Sequence, residues 1–457
     1  MAREKLSSRI GFLLLSAGCA IGLGNIWRFP FVTGQSGGGF FVLLYLVFLA
    51  ILGFPILVME LSIGRAAQRN LVGAYRVLSP GRLRWDRGGM VFFLGNVVLM
   101  MFYTTVSGWL LYYGWSYLTG SIMSCHNPKA IGGFFGALTG SAGLSVGWMG
   151  LTVFLGMLLC AAGLKHGVEG TVKLMMGALL LLLVVLAVKA LTMPGAGAAV
   201  KFYLAPNLER LRRAGVVHTV YAAMGQAFFT LSLGVGSMTI FGSYIGKDHS
   251  LTKESILIII LDTFVAILAG LIIFPVCFSF GVDVGAGPGL VFLSLPNIFK
   301  EMAGGRWWGA AFFIFMSLAA MTTVVAVFEN IIAFVMDEWR WKRLYASLLV
   351  GFGIFVLSVP CALGFNLWKR FAPMGKGTVI LDFEDFLVSQ NLLPLGALFV
   401  LLFCVSRYGW GWRNFIAEAD AGHGTKFPLW LHGYLRWVLP LLILGIFAAG
   451  YVQKFVH

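Results

Sequence analysis

Ser16-Ala-Gly-Cys-Ala-Ile-Gly-Leu-Gly-Asn25-Ile-Trp-Arg28-Phe-Pro30 is apolar enough to sit in lipid yet poorly suited to one unbroken helix. Its three glycines weaken helical order, and Pro30 removes a backbone donor. Asn25 and, one turn later, Arg28 need partners if they lie at membrane depth. The spacing of Gly18 and Gly22 fits close packing against a second helix as well as a break. The polar residues favour a site, because intramembrane polar side chains line functional cavities more often than lipid-facing surfaces.

Around this stretch the whole chain has membrane character. Of its 457 residues 59% are hydrophobic and 11% charged, more apolar surface than a soluble interior could hide. A hydrocarbon layer of roughly 30 Å takes about 20 apolar residues as a helix, and about eleven segments of that kind recur. They fall near 10–34, 39–64, 90–120, 147–164, 168–191, 216–245, 254–281, 307–336, 343–363, 384–406 and 429–453. The expected fold is an all-α polytopic membrane protein forming one transmembrane domain over 1–457.

The net charge of +15 does not indicate a nucleic-acid partner, because the basic residues sit in short connections rather than on one face. Arg3, Lys5 and Arg9 precede the first span, and Arg65, Arg69, Arg76, Arg82, Arg84 and Arg87 crowd the connection after the second. Such segments stay cytoplasmic, so the N-terminus is expected inside and the chain in a bacterial inner membrane. Arg210, Arg212 and Arg213 fall in an outer connection and break the rule. The first span is too long and too glycine-interrupted for a cleaved signal peptide. Five of the six cysteines lie in or beside spans, so neither a disulfide framework nor a metal-ligand spacing follows.

The sixth span repeats the device of the first: Gln226-Ala-Phe-Phe-Thr230-Leu-Ser232-Leu-Gly234-Val-Gly236-Ser237. Paired interruptions in corresponding spans point to an inverted-repeat transporter, here a 5+5 arrangement with unwound first and sixth helices. The repeats would cover about 10–191 and 216–406, with an additional helix about 429–453. Broken helices expose amides that favour an anion and carbonyls that favour a cation, which suits a zwitterion and sodium.

Gly18 to Pro30, the triplet Gly37-Gly38-Gly39 and Gln226 to Gly234 resemble the signatures of the neurotransmitter:sodium symporter family, and the likeness runs from Arg3 into the eleventh span. The resemblance implies a sodium-coupled symporter that imports a neutral, hydrophobic L-amino acid by alternating access, with two sodium ions and no organic cofactor. The substrate carboxylate would meet the amides of Leu23 and Gly24 and the hydroxyl of Tyr103, and its amino group the carbonyls near Ala20 and Phe229. Cys19, Leu99, Phe229, Ser232, Val235, Thr323 and Val327 would line the side-chain pocket. Gly22 stands where amine-transporting relatives carry an Asp, which favours an amino acid over an amine.

The first sodium would use Ala20, Asn25, Thr230 and Asp262, and the second Gly18, Ile21, Ala319, Thr322 and Thr323. Many relatives have Asn at the position of Asp262 and add a chloride bounded by residues matching Tyr45, Gln226 and Thr230. The carboxylate of Asp262 is therefore expected to make transport chloride-independent, unless it faces the end of its span. Arg28 and Asp385 match the family's outer ion pair, above a lid of Tyr103 and Phe229. Arg3 and Asp337 match an inner pair beside Ser243 and Tyr244, and the usual tryptophan is missing near Leu6.

Two other classes fare worse. Gly34-Gln-Ser36-Gly-Gly38 fits a loose hydrolase pattern without its strand-turn-helix context, and an open channel would not need gates around a central site. Expected partners are the solute, sodium and membrane lipid. Another small zwitterionic or amine solute stays open, as does dimerisation, a monomer being the simplest expectation.

Overall fold

A computed structural model describes residues 6–81, 83–125, 128–282, 284 and 290–455. Among them, nine helices are long and apolar enough to cross a membrane: Gly39–Ala67, Trp85–Thr119, Ala142–Ala161, Gly167–Leu191, Leu251–Phe280, Gly305–Trp339, Arg343–Leu363, Ile380–Val405 and Leu431–Val452. The first predicted span is a bent pair, Arg9–Ala20 and Gly24–Gln35, whose halves diverge by 53°. The sixth is Val216–Thr230 and Ser237–Gly242, neither half long enough to cross alone. Those eleven positions match the expected spans, and the protein is an all-α, multi-pass membrane protein. His249 and His423 form an isolated bridge, and no strand ladder occurs among the described residues.

Pro30 is not the breaker that its sequence position suggests, and two other prolines share its setting. Pro30, Pro55 and Pro440 each follow a wide, π-helical turn. There the residue before the proline bonds five residues back: Phe29 N–H to Gly24, Phe54 N–H to Leu49 and Leu439 N–H to Tyr434. A widened turn makes room for a ring that would otherwise strike the preceding turn's carbonyl, so the helix bends and continues.

The real interruptions lie at Ile21–Leu23 and Leu231–Gly236. In the second, Ser232, Gly234 and Gly236 take positive φ values of 50°, 95° and 81°. Gly234 is also a contact point, since a Cβ there would lie 2.3 Å from the carbonyl oxygen of Leu393 on the tenth span. Only a glycine allows both that left-handed backbone and that approach. The eighth span is the most enclosed, 78% of its best apolar window being buried, while the last reaches only 22%. Both interruptions therefore sit inside a ring of other helices, where irregular backbone at membrane depth is tolerated.

Candidate functional site

The two interruptions meet around a cavity. Cys19, Ala20, Gly22 and Gly24 line it from the first span, Leu99 and Tyr103 from the third, Phe229, Ser232 and Val235 from the sixth and Thr323 from the eighth. The expected wall residue Val327 is buried but does not reach the cavity. Its place is taken by Val388 and Leu393 of the tenth span, which the sequence presents as ordinary members of an apolar run. Leu23 and Thr230 also stand off the wall, Leu23 bonded to the wall residue Tyr103 and Thr230 to Asp262 behind it.

Polar groups cluster at one side of the cavity. Leu23 N–H donates to the Tyr103 hydroxyl at 3.1 Å, so two groups expected to hold one carboxylate lie within a hydrogen bond of each other. A Cβ on Gly22 would lie 2.5 Å from the Tyr103 hydroxyl and 2.6 Å from Thr323 Oγ1. Any side chain there would intrude on this polar corner. The Ser232 hydroxyl donates to the Cys19 carbonyl at 3.4 Å and ties the two interruptions together.

Behind the cavity Asp262 is fully buried in the seventh span and faces inward, so it does not point to the end of its helix. Asn25 Nδ2 donates to Asp262 Oδ1 at 2.7 Å, the Thr230 hydroxyl to Oδ2 at 2.9 Å and the Tyr45 hydroxyl to Oδ2 at 3.5 Å. Gln226 Nε2 donates to the Gly24 carbonyl at 2.9 Å. Of the set expected for the first sodium, Asn25, Thr230 and Asp262 are in contact and Ala20 lies on the cavity wall.

The second expected set converges completely. Thr322 Oγ1 lies 2.8 Å from the Ala319 carbonyl and 3.5 Å from that of Ile21. Thr323 Oγ1 lies 3.4 Å from the carbonyls of both Gly18 and Ile21 and 3.5 Å from that of Ala319. Thr322 bonds back to its own helix, as threonines in helices often do. Thr323 instead sits almost equally far from three carbonyls. Three carbonyl and two hydroxyl oxygens without a formal charge make a donor set for a small hard cation.

Two residues missed in the sequence support the broken sixth span. Glu60, buried in the second span, accepts from Gly234 N–H at 2.5 Å. Asn96 of the third span donates to the Val235 carbonyl at 2.7 Å and accepts from the Ser237 hydroxyl at 3.0 Å. They satisfy backbone groups that the break releases. A carboxylate inside an apolar run was the available signal for Glu60.

The expected outer gate needs correction. Arg28 and Asp385 form no ion pair: the Arg28 guanidinium stacks 4.3 Å over the Phe229 ring, and Asp385 accepts from the Ser389 hydroxyl at 2.6 Å. The ring gives the cation an alternative partner, and Ser389, one turn on, holds the carboxylate. Arg3 lies outside the described residues. Asp337 accepts from the Asn70 amide at 2.8 Å and its side chain at 3.1 Å. Tyr244 donates to the buried Glu329 at 2.7 Å, and Arg343 contacts the same carboxylate at 2.7 and 3.1 Å. This cluster was also missed.

Comparison with known proteins covers nearly the whole chain. The family model described as "Sodium:neurotransmitter symporter family" matches residues 3–130 and 140–456. An uncharacterized sodium-dependent transporter of Bacillus subtilis is 33% identical over 444 residues, covering 96% of each chain. One of Haemophilus influenzae is 32% identical over 464 residues, covering 98% of each. The crystal structure of MhsT in complex with L-phenylalanine superposes with a TM-score of 0.87 at 37% identity, over 98% of this chain and 99% of that one. These relatives are transporters rather than enzymes, and this chain is a sodium-dependent symporter belonging to the sodium:neurotransmitter symporter family.

Proposed function

We propose that the protein imports a neutral, hydrophobic L-amino acid together with two sodium ions, by alternating access and without chloride. The observation that carries this reading is the convergence of a mostly apolar cavity, a polar corner at Leu23 and Tyr103, and two oxygen-rich clusters that both draw on the broken first span. A zwitterionic head group fits the polar corner and the exposed helix ends. Leu99, Phe229, Val235, Val388 and Leu393 suit an apolar side chain. MhsT, solved with L-phenylalanine, supports the same solute class.

Asp262 supplies a negative charge amid the donors Asn25, Thr230 and Tyr45, which supports chloride independence. Each sodium entering down the membrane potential contributes about 2.3 kcal/mol per 100 mV, so two ions would drive strong accumulation of a neutral solute. The arginine-rich connection after the second span supports a cytoplasmic N-terminus in a bacterial inner membrane. No organic cofactor is needed for this chemistry, and one copy of the chain contains both clusters and the cavity.

The test is binding of a panel of radiolabelled amino acids to purified protein, in sodium and then in potassium at equal ionic strength. Sodium-dependent binding of a leucine-like or aromatic amino acid is expected. Binding indifferent to sodium would overturn the coupling through Asn25 and Thr322. Silence across the panel with binding of an amine would overturn the amino-acid reading.

A further inference from the structure

The first span begins at a joint that neither the cavity nor the sodium sets require. Glu169, at the head of the fifth span, is 1% exposed. Its carboxylate collects the Ser7 amide at 2.7 Å, the Ser7 hydroxyl at 2.6 Å, the Ser8 hydroxyl at 3.1 Å and the Lys173 ammonium at 2.6 Å. Lys173 also donates to Ser8 Oγ at 2.9 Å, and Ser8 caps the first span by accepting from Gly11 N–H at 3.0 Å. On the other flank Arg9 contacts the buried Glu254, at the head of the seventh span, through Nε and Nη2, both at 2.9 Å.

We infer that Glu169 and Lys173 are gate-positioning residues, which hold Ser7 and Ser8 and thereby keep the half-helix Arg9–Ala20 closed at this end of the bundle. The half-helix is a 12-residue rod, joined to its continuation only through the interruption at Ile21–Leu23. Its far end carries Gly18, Cys19 and Ala20, which face the second oxygen cluster and the cavity. A movement at Ser8 is therefore carried to both. Burying a carboxylate is costly unless charge and hydrogen bonds compensate it, so Glu169 binds its donors as a set and releases them together. The inference rests on alternating access, but its readout is helix motion, independent of which solute is carried.

Gly11 offers a second route to the same joint. A Cβ there would lie 2.0 Å from Glu169 Oε1 and 2.5 Å from its Cδ. Alanine forms helix better than glycine, so loosening in Gly11→Ala cannot arise from helix propensity and must come from displacing the carboxylate.

The experiment is hydrogen–deuterium exchange by mass spectrometry on the full chain in lipid nanodiscs. Wild type is compared with Glu169→Gln, Lys173→Met, Gly11→Ala and the double variant Gly11→Ala/Glu169→Gln. Exchange in the segment 6–20 should rise about tenfold in each single variant, a local opening rather than unfolding. The double variant should exchange no faster than the more severe single one, because both act on one joint. High sodium should restore slow exchange by fastening the other end of the rod at Gly18 and Ile21. Unchanged exchange in Glu169→Gln and Gly11→Ala would overturn the inference. An equal rise in all spans, indifferent to sodium, would also overturn it by marking a folding joint instead of a gate. Opening of segment 6–20 in a protein that binds no amino acid of the panel would uphold the gate and remove the substrate reading.

Discussion

The two ends of the bundle are closed by different chemistry. Where the first span begins, buried carboxylates meet cations: Glu169 with Lys173, Glu254 with Arg9 and Glu329 with Arg343, while Asp337 holds the Asn70 amide. Where Arg28 and Asp385 lie, the two do not pair, and the guanidinium rests on the Phe229 ring. Buried ion pairs strand a charge when one partner leaves, so that end should open only when several groups move together. A cation on a ring gives up little when it slides, so the other end should open gradually.

The comparison breaks first at Glu329, where the largest effect is expected. Glu329→Ala leaves the Arg343 guanidinium and the Tyr244 hydroxyl without their shared acceptor, a loss of about 3–5 kcal/mol. Thermal unfolding in detergent would record it, and adding Arg343→Met should recover much of it. A double variant no more stable than the single one would show that the pair is not what holds that end.

Asp262→Asn tests the charge between the ends. Transport in gluconate should fall roughly tenfold and return in chloride, the factor expected from losing about 1.4 kcal/mol of charge-assisted contact. Equal rates in both salts would leave the carboxylate without a role in anion independence.

Asp337→Ala removes the acceptor of the Asn70 amide at the start of the helix Leu71–Leu78, worth about 1 kcal/mol. Thiol labelling at that end should quicken several-fold as the open form gains population; an unchanged rate would assign Asp337 to the local helix alone. Arg28→Lys should have the smallest effect, about 0.5–1 kcal/mol from weakened stacking, seen as a few-fold change in solute dissociation. A far larger loss would mean that the Asp385 pair forms during the cycle and that the two ends are more alike than the structure shows.

Much of this architecture is legible along the chain. Asn25 and Arg28 inside an apolar run, and Ser232-Leu-Gly234-Val-Gly236 two hundred residues on, mark the interruptions because glycine content and stray polarity are local properties. Pro30 misled in the other direction. A sequence shows that a donor is missing, but not that the preceding turn widens to keep the helix going. The oxygen cluster of Gly18, Ile21, Ala319, Thr322 and Thr323 came from resemblance, since carbonyls carry no sequence signal.

The sequence alone determined the solvent this chain needs and the places where two of its spans break, because length, apolarity and backbone freedom belong to single segments. Tertiary structure decided partners. Val388 and Leu393 line the cavity, Arg28 takes a ring over a carboxylate, and Glu169 clasps Ser7 across 162 positions of chain. A buried charge must be compensated, but any of several residues satisfies that demand, and only the packing of helices selects which one stands within 3 Å.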